Sequence, residues 1–370
     1  MQKTIAKYFE EIESNTAKAY SLAAQARKLG YDPEEEVGMP LAKNMAERVE
    51  GLVGVLVPQI INSGLPARIQ EIEKQFRKLD WRVALSIALE VADGKFCKFE
   101  SKLMAMEAGI RVGLAYLTLG VVSSPLEGFV ELKLKKRRDG KEYFCLMYSG
   151  PIRSAGGTAG AVSLVLADYI RKKMGYDVYD PTDAEIKRMA VELYDYHERV
   201  TNLQYLPSEE EIMFLVGKLP LQIDGDPSEK IDVSNYKDLP RIDTNQIRSG
   251  ACLVLGECIA QKASKVWNNI SQWSKEFDLE HWAFLEHFVL LQKKIKAKDK
   301  KSEGKVMPVY TFIDDLVAGR PVLTHPMTPG GFRLRYGRCR TSGYSCAAIH
   351  PATMHILKSY IAIGTQLKLE

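Results

Sequence analysis

Long apolar runs are absent from this sequence. The nearest approach, Gly109 to Val122, falls short of the ~20 residues a membrane helix needs and contains Arg111. The amino terminus, MQKTIAKYFEEIES, carries carboxylates and lacks the apolar centre of a signal peptide. Close cysteine pairs are absent as well: Cys97, Cys145, Cys252, Cys258, Cys339 and Cys346 form no Cys-x-x-Cys. Zinc sites usually take two ligands from a single turn, and the set Cys339, Cys346, His350 and His355 fits no common zinc spacing. Neither a P-loop nor a dinucleotide-binding fingerprint occurs. The expectation is a cytoplasmic protein with reduced thiols, no membrane partner and no metal of its own.

What is present suits a protein with substantial cores. The 370 residues allow two or three domains, and 46% are apolar against 26% charged. The net charge of +4 conceals an asymmetry. From Leu291 to Glu370 there are 14 Lys and Arg against 5 Asp and Glu, whereas the preceding residues hold 37 against 42. Positive charge gathered at one end suits a polyanionic partner, or a solvated basic loop; composition alone leaves both open.

The pattern along the chain is that of an α+β protein. Apolar residues at helical spacing predict a long helix over 3–29 with Gly30 as its stop, then helices over 41–57, 65–76, 81–91 and 101–119. Residues 1–120 therefore read as a helical domain. Residues 121–290 read as a mixed α/β region. Its hairpin runs through Phe129–Lys135 and Tyr143–Tyr148, followed by a glycine-rich segment and a helix. Further helices are predicted over 182–198, 208–217, 244–269 and 281–296, with a short strand at 220–224. Residues 291–305 read as a lysine-rich, mobile linker, and 306–370 as β-rich. That last part, of about 65 residues, stops on an opening strand at Gln366–Glu370 and looks truncated.

A few segments could carry chemistry. Ser149-Gly-Pro-Ile-Arg-Ser-Ala-Gly-Gly-Thr158 precedes a helix, where glycines let backbone N–H groups approach an anion. Arg153, Ser154, Gly156, Gly157 and Thr158 are its candidate contacts, for a nucleic-acid backbone rather than a nucleotide. The alternative is a tight strand-to-helix turn packed on a neighbour. Asp224-Gly-Asp226 invites a metal reading but suits an exposed turn. Asp314 and Asp315, adjacent on a strand, would face opposite sides. In Gly330–Gly343, Arg333 and Arg335 share one strand face, and a bulge at Gly337 would bring Arg338 and Arg340 onto it. Such a ladder of guanidiniums, with no acids interleaved, suits phosphates; the alternative is an outward polar face. Arg241, Asn245 and Arg248 would share a helix face, which makes Arg248 a further candidate.

Taken in order, several pieces resemble the large subunit of archaeal family D DNA polymerase. They are Tyr8-Phe9-Glu10 with Tyr20, Leu29-Gly30-Tyr31-Asp32-Pro33, Ala46-Glu-Arg-Val-Glu-Gly-Leu52 and Tyr148-Ser-Gly-Pro-Ile-Arg-Ser-Ala-Gly-Gly-Thr158. Leu203-Gln-Tyr-Leu-Pro-Ser208, Thr244-Asn-Gln-Ile-Arg248, Gly319-Arg-Pro321, Gly330-Gly-Phe-Arg-Leu-Arg-Tyr-Gly-Arg338 and His350-Pro-Ala-Thr-Met354 complete the series. The resemblance implies a helical amino-terminal domain, a KH-like middle and, over 306–370, the start of a double-psi β-barrel. It implies a heterodimeric replicative polymerase, with a 3′-to-5′ exonuclease in the small subunit. Its partners would be primer–template DNA, that small subunit, the rest of the large subunit and, through other regions, a sliding clamp. Its magnesium-binding aspartates and zinc-binding cysteines would lie downstream of this chain, so residues 1–370 would bind DNA without catalysing nucleotide transfer.

Two other readings stay open. One is a non-catalytic nucleic-acid-binding or scaffold protein derived from such a subunit. The other is a phosphate-binding enzyme using the glycine segment, for which the isolated His197 is the sole loose candidate base.

Overall fold

The computed structural model describes residues 2–31, 42–118 and 124–299, together with the strands at 332–336 and 365–369. It divides into two compact units, residues 1–43 and 44–370. The first is built on one helix, α1 (Gln2–Lys28), closed by Gly30 in the left-handed region with φ of 77°. Tyr8 and Phe9 on it meet edge-on and, like Leu22, are exposed.

The second unit opens with helices α2 (Met45–Gly54), α3 (Leu65–Gln75), α4 (Trp81–Ala92) and α5 (Lys102–Leu117). Each lies where helical spacing of apolar residues places it. Asn44, Asp80 and Ser101 cap α2, α4 and α5 by accepting from backbone N–H groups. α5 is apolar on nearly every side because it is central. Its Ala108, Val112 and Tyr116 enter a core with Val49, Ile69 and Val83, while Met106, Ile110 and Leu114 enter the larger core around the sheet. Arg111, the charge inside that apolar run, is buried, and its guanidinium donates to the Phe129 and Val130 carbonyls and to Glu107. Glu107 in turn accepts from the Leu132 N–H, so one ion pair fixes helix to strand.

After the short α6 (Ser124–Glu127), strands β1 (Phe129–Lys136) and β2 (Glu142–Tyr148) form the expected antiparallel hairpin. β3 (Gln222–Gly225) adds in parallel to β2, giving the order β1-β2-β3. A central strand covered on both faces reads as a continuous apolar run, which explains Tyr143-Phe-Cys-Leu-Met-Tyr148. Phe144, Leu146 and Tyr148 face the large core, and Tyr143, Cys145 and Met147 a small cluster with Tyr179.

Between β2 and β3 lie α7 (Ile152–Ala155), α8 (Gly157–Lys173), α9 (Asp183–Arg199) and α10 (Glu209–Lys218). Reciprocal capping boxes, Thr182 with Glu185 and Ser208 with Glu211, start the last two. α8 is buried from Gly160 through Arg171 and forms the middle of the large core. Beyond β3 come α11 (Ser249–Leu253), a π-helical stretch over Val254–Ala260 and α12 (Gln261–Ile270). A 3₁₀ turn at Glu280–Ala283 leads into α13 (Phe284–Asp299). Two expectations need correction. The helix expected over 244–269 begins at Ser249 and changes to π geometry in its middle. The lysine-rich linker is helical through Asp299, since Lys, Ala and Gln have good helix propensity. Separately, β4 (Phe332–Tyr336) and β5 (Thr365–Leu369), near two positions where strands are expected, pair antiparallel.

Among the described residues no helix is long and apolar enough to cross a membrane.

Asp168 anchors α8 from within. Its fully buried carboxylate accepts from Arg171 at 2.8 Å, His281 at 2.5 Å and the Trp282 indole at 2.7 Å. Burial alone would raise its pKa, but the His281 and Arg171 contacts hold it below the ordinary 3.8. A lowered folded-state value contributes stability that is complete above the unfolded value and lost as pH falls through the lowered one. Urea denaturation followed from pH 6 down to pH 2 is expected to show a steeper acid loss for the parent than for Asp168→Asn. Parallel curves would remove Asp168 from the acid-sensitive set.

Candidate nucleic-acid interface

The glycine segment is a tight strand-to-helix turn. β2 ends at Tyr148, the Ser149 N–H donates to the Gly128 carbonyl, and a single turn, α7, comes next. Gly156, at φ of 84°, separates α7 from α8 in a conformation few side chains adopt, and it gives α8 no side-chain cap. Gly157 answers a close approach: a Cβ there would lie 2.5 Å from the Glu257 carbonyl oxygen of the π stretch. These glycines thus have a packing reason, the alternative that the sequence left open. Gly157 is half-buried against its neighbour, and Ser154 is half-buried too.

Around this turn the structure gathers cations. Arg153 donates from Nη2 to Glu257 Oε1 at 2.7 Å, with the guanidinium side chain still 27% exposed. The same oxygen accepts from the Gln204 N–H at 2.8 Å. Lys265 of α12 reaches across to Thr158 Oγ1 at 3.2 Å, so an exposed ammonium stands beside the first turn of α8. Lys265 was not among the residues expected at the site. No local motif marks it, because only the packing of α12 on α8 places it there.

Arg248 sits elsewhere. Residues 241–248 are not helical, so Arg241, Asn245 and Arg248 do not share a face. Arg241 forms a forked pair with Glu185 at 2.8 and 2.6 Å and also contacts Asp180, whose carboxyl it and Arg138 hold down at about 2 against the effect of burial. Asn245 is bonded to Asp238 at 2.8 Å. Arg248 is 1% exposed. It donates from Nη1 to Asp224 Oδ1 at 2.6 Å, and from Nε and the backbone N–H to Glu192 Oε1 at 3.0 and 2.7 Å. A guanidinium so enclosed is not offered to a phosphate by this fold.

Asp224 receives Lys135 Nζ at 3.0 Å on its other oxygen. Burial would raise its pKa, but Arg248 and Lys135 keep it below the ordinary value. Asp226, by contrast, is exposed, so the Asp224-Gly-Asp226 pair is split between core and surface. Among the described residues no group of three or more His, Cys, Asp and Glu side chains is arranged to hold a metal ion. His197 accepts the Leu203 N–H on Nδ1 at 2.9 Å and so holds the chain after α9.

On β4, register places Arg333 opposite Lys368 and Arg335 opposite Gln366. Arg338, Arg340, the Gly337 bulge, Asp314, Asp315 and the Cys339, Cys346, His350, His355 set lie outside the described residues.

Residues 7–291 match the family described as DNA polymerase II large subunit DP2, N-terminal, and residues 298–370 that described as its central domain. The DNA polymerase II large subunit of Nanoarchaeum equitans is 45% identical over 390 residues, covering 98% of this chain and 31% of that protein. That of Methanosarcina barkeri is 43% identical over 368 residues, covering 100% and 31%. That of Thermoplasma volcanium is 41% identical over 363 residues, covering 98% and 31%. The chain therefore spans 31% of the length of these relatives.

The buried ion cluster gives a direct expectation. Removing one member of a buried pair leaves an uncompensated charge and costs about 3–5 kcal/mol. Arg248→Met should lower unfolding free energy in urea at neutral pH by that order. A loss below ~1 kcal/mol would mean that Arg188, whose Nε donates to Glu192 Oε2 at 3.2 Å, and Lys135 suffice to hold Glu192 and Asp224.

Proposed function

This chain belongs to the DNA polymerase II large subunit family, and on that premise we propose that it is a DNA-binding, non-catalytic part of a replicative polymerase. What carries the reading is the match that runs through both matched regions, residues 7–291 and 298–370. Arg153, Thr158 and their neighbours beside α8, and Arg333 and Arg335 on β4, are the phosphate contacts. Arg338 and Arg340 continue the second set. The glycines and Ser154 shape the first set, while Arg248, enclosed by Glu192 and Asp224, is left out of the contacts.

In this reading the three-stranded sheet with its helices forms the KH-like part, and the β4–β5 pair belongs to the opening of a double-psi barrel. Nucleotide transfer to a primer terminus takes place on magnesium held by aspartates outside residues 1–370, with zinc sites and the clamp contact also elsewhere. A small subunit supplies the 3′-to-5′ exonuclease. The described carboxylates support this division: Glu257 at the turn is engaged by Arg153, and Asp224 in the buried cluster by Arg248 and Lys135.

A DNA titration tests the binding role. Primer–template binding by the chain should fall steeply with salt, and Arg333→Ala with Arg335→Ala should reduce the slope by about 0.9 per lost phosphate contact. An unchanged slope would remove the β4 arginines from the interface. Supplied with magnesium and dNTPs, the same chain is expected to give no primer extension. Extension by the purified protein would place an active site within it.

A further inference from the structure

The outer side of α12 has an unusual composition. Between Glu257 and Glu276 the sequence contains no carboxylate at all. Gln261, Ser264, Lys265 and Asn268 recur at i, i+3, i+4 and i+7 and so form one stripe of hydrogen-bonding groups. Ser264, Lys265 and Asn268 are exposed, while Ala263, Val266 and Ile270 on the opposite side are buried. The stripe continues past the helix to the exposed Gln272, and together these residues form one open surface. A solvated helix face normally interleaves acids with bases; this one has donors, neutral acceptors and positive charge only.

A second, independent group of cations is brought to the same end of the helix. Gln292 of α13 donates to the Ala260 carbonyl at 3.0 Å and to the Tyr205 hydroxyl at 2.7 Å, and is itself buried. That bond pins α13 where α12 begins. The next two residues, Lys293 and Lys294, are exposed and open the lysine-rich run. Lys293 and Lys294 thus follow directly on the residue that ties α13 to Ala260, just before the start of α12 that carries Lys265.

We propose that the carboxylate-free stripe of α12 and the adjoining lysines of α13 form a continuous track for the DNA sugar–phosphate backbone. This deepens the DNA-binding reading and rests on it, but it assigns contact to residues other than the arginines of β4. Gln261 to Asn268 spans about 10 Å of helix, beside which duplex DNA presents a charge about every 1.7 Å of its axis. The lysines supply the counter-charge, and Gln261, Ser264, Asn268 and Gln272 donate to phosphate and sugar oxygens without reading bases. The track is therefore indifferent to sequence.

The test is a salt series of primer–template titrations on the full chain, with Lys265→Gln, Lys293→Gln and Lys294→Gln combined in one variant. Asn268→Glu forms a second variant, which places a single carboxylate in the stripe. A control of equal charge carries Lys74→Gln, Lys98→Gln and Lys102→Gln, exposed positions on other parts of the second unit. The triple track variant should lose about 0.9 of slope per lysine, Asn268→Glu should weaken binding, and the control should lose less than either. Thermal midpoints matching the parent would show that all variants fold. If the parent binds and the track variants match it, or the control loses as much, the track is overturned while DNA binding stands. If the parent fails to bind at low salt, the DNA-binding reading itself fails, and the track with it.

Discussion

The second unit depends on a charge that has been taken out of water. Arg248 lies where α9, β3 and the start of α11 converge, and every polar group it meets is also buried. Transfer of such a group from water is unfavourable unless each of its donors finds a partner. The cluster meets that demand in both directions. Glu192 receives Arg248 and Arg188, while Asp224 receives Arg248 and Lys135. Arg188 then turns its remaining donors to the carbonyls of Tyr236 and Thr244, and so orders the loop between β3 and α11. Because no member can leave without stranding another, the parallel strand, the helix and the loop adopt one arrangement together.

That demand also explains which parts of the fold are legible in the sequence. Helices α2 to α5 and the β1–β2 hairpin follow from periodicity because a single apolar face decides each of them. The stretch from Thr244 to Arg248 has helix-compatible residues, yet it runs extended. Thr244 and Gln246 lend their carbonyls to Arg188, and the Arg248 N–H is taken by Glu192. Tertiary hydrogen bonds override local propensity there, and a sequence pattern carries no sign of a partner 56 residues away. The lysine-rich run after Gln292 departs from expectation for the opposite reason. It lacks an apolar face, but helix propensity and the Gln292 anchor carry it to Asp299.

At the candidate interface, the sequence marks the glycine turn but not Lys265, which packing brings beside it. Arginine attracts attention as a phosphate ligand, yet its planar fork also makes it the preferred partner inside a protein. Here Arg111, Arg171, Arg188 and Arg248 are all buried. Lys265, Lys293 and Lys294 remain outside, where a flexible, strongly hydrated ammonium is most at home. The distinction between inward arginine and outward lysine is made by packing, not by any motif.

The π stretch over Val254–Ala260 sets the angular phase of α12. Its hydrogen bonds skip one residue more than α-helical ones, so it accommodates the chain differently from a helix of equal length. In a regular α-helix an inserted or deleted residue rotates everything beyond it by about 100°. The wider π turns take up one extra residue, so α12 keeps Lys265 beside Thr158 and Val266 in the core. The irregular turn acts as a phase correction between two faces of one rod, and removing the residue it takes up would turn the surface far less than the same deletion in regular helix.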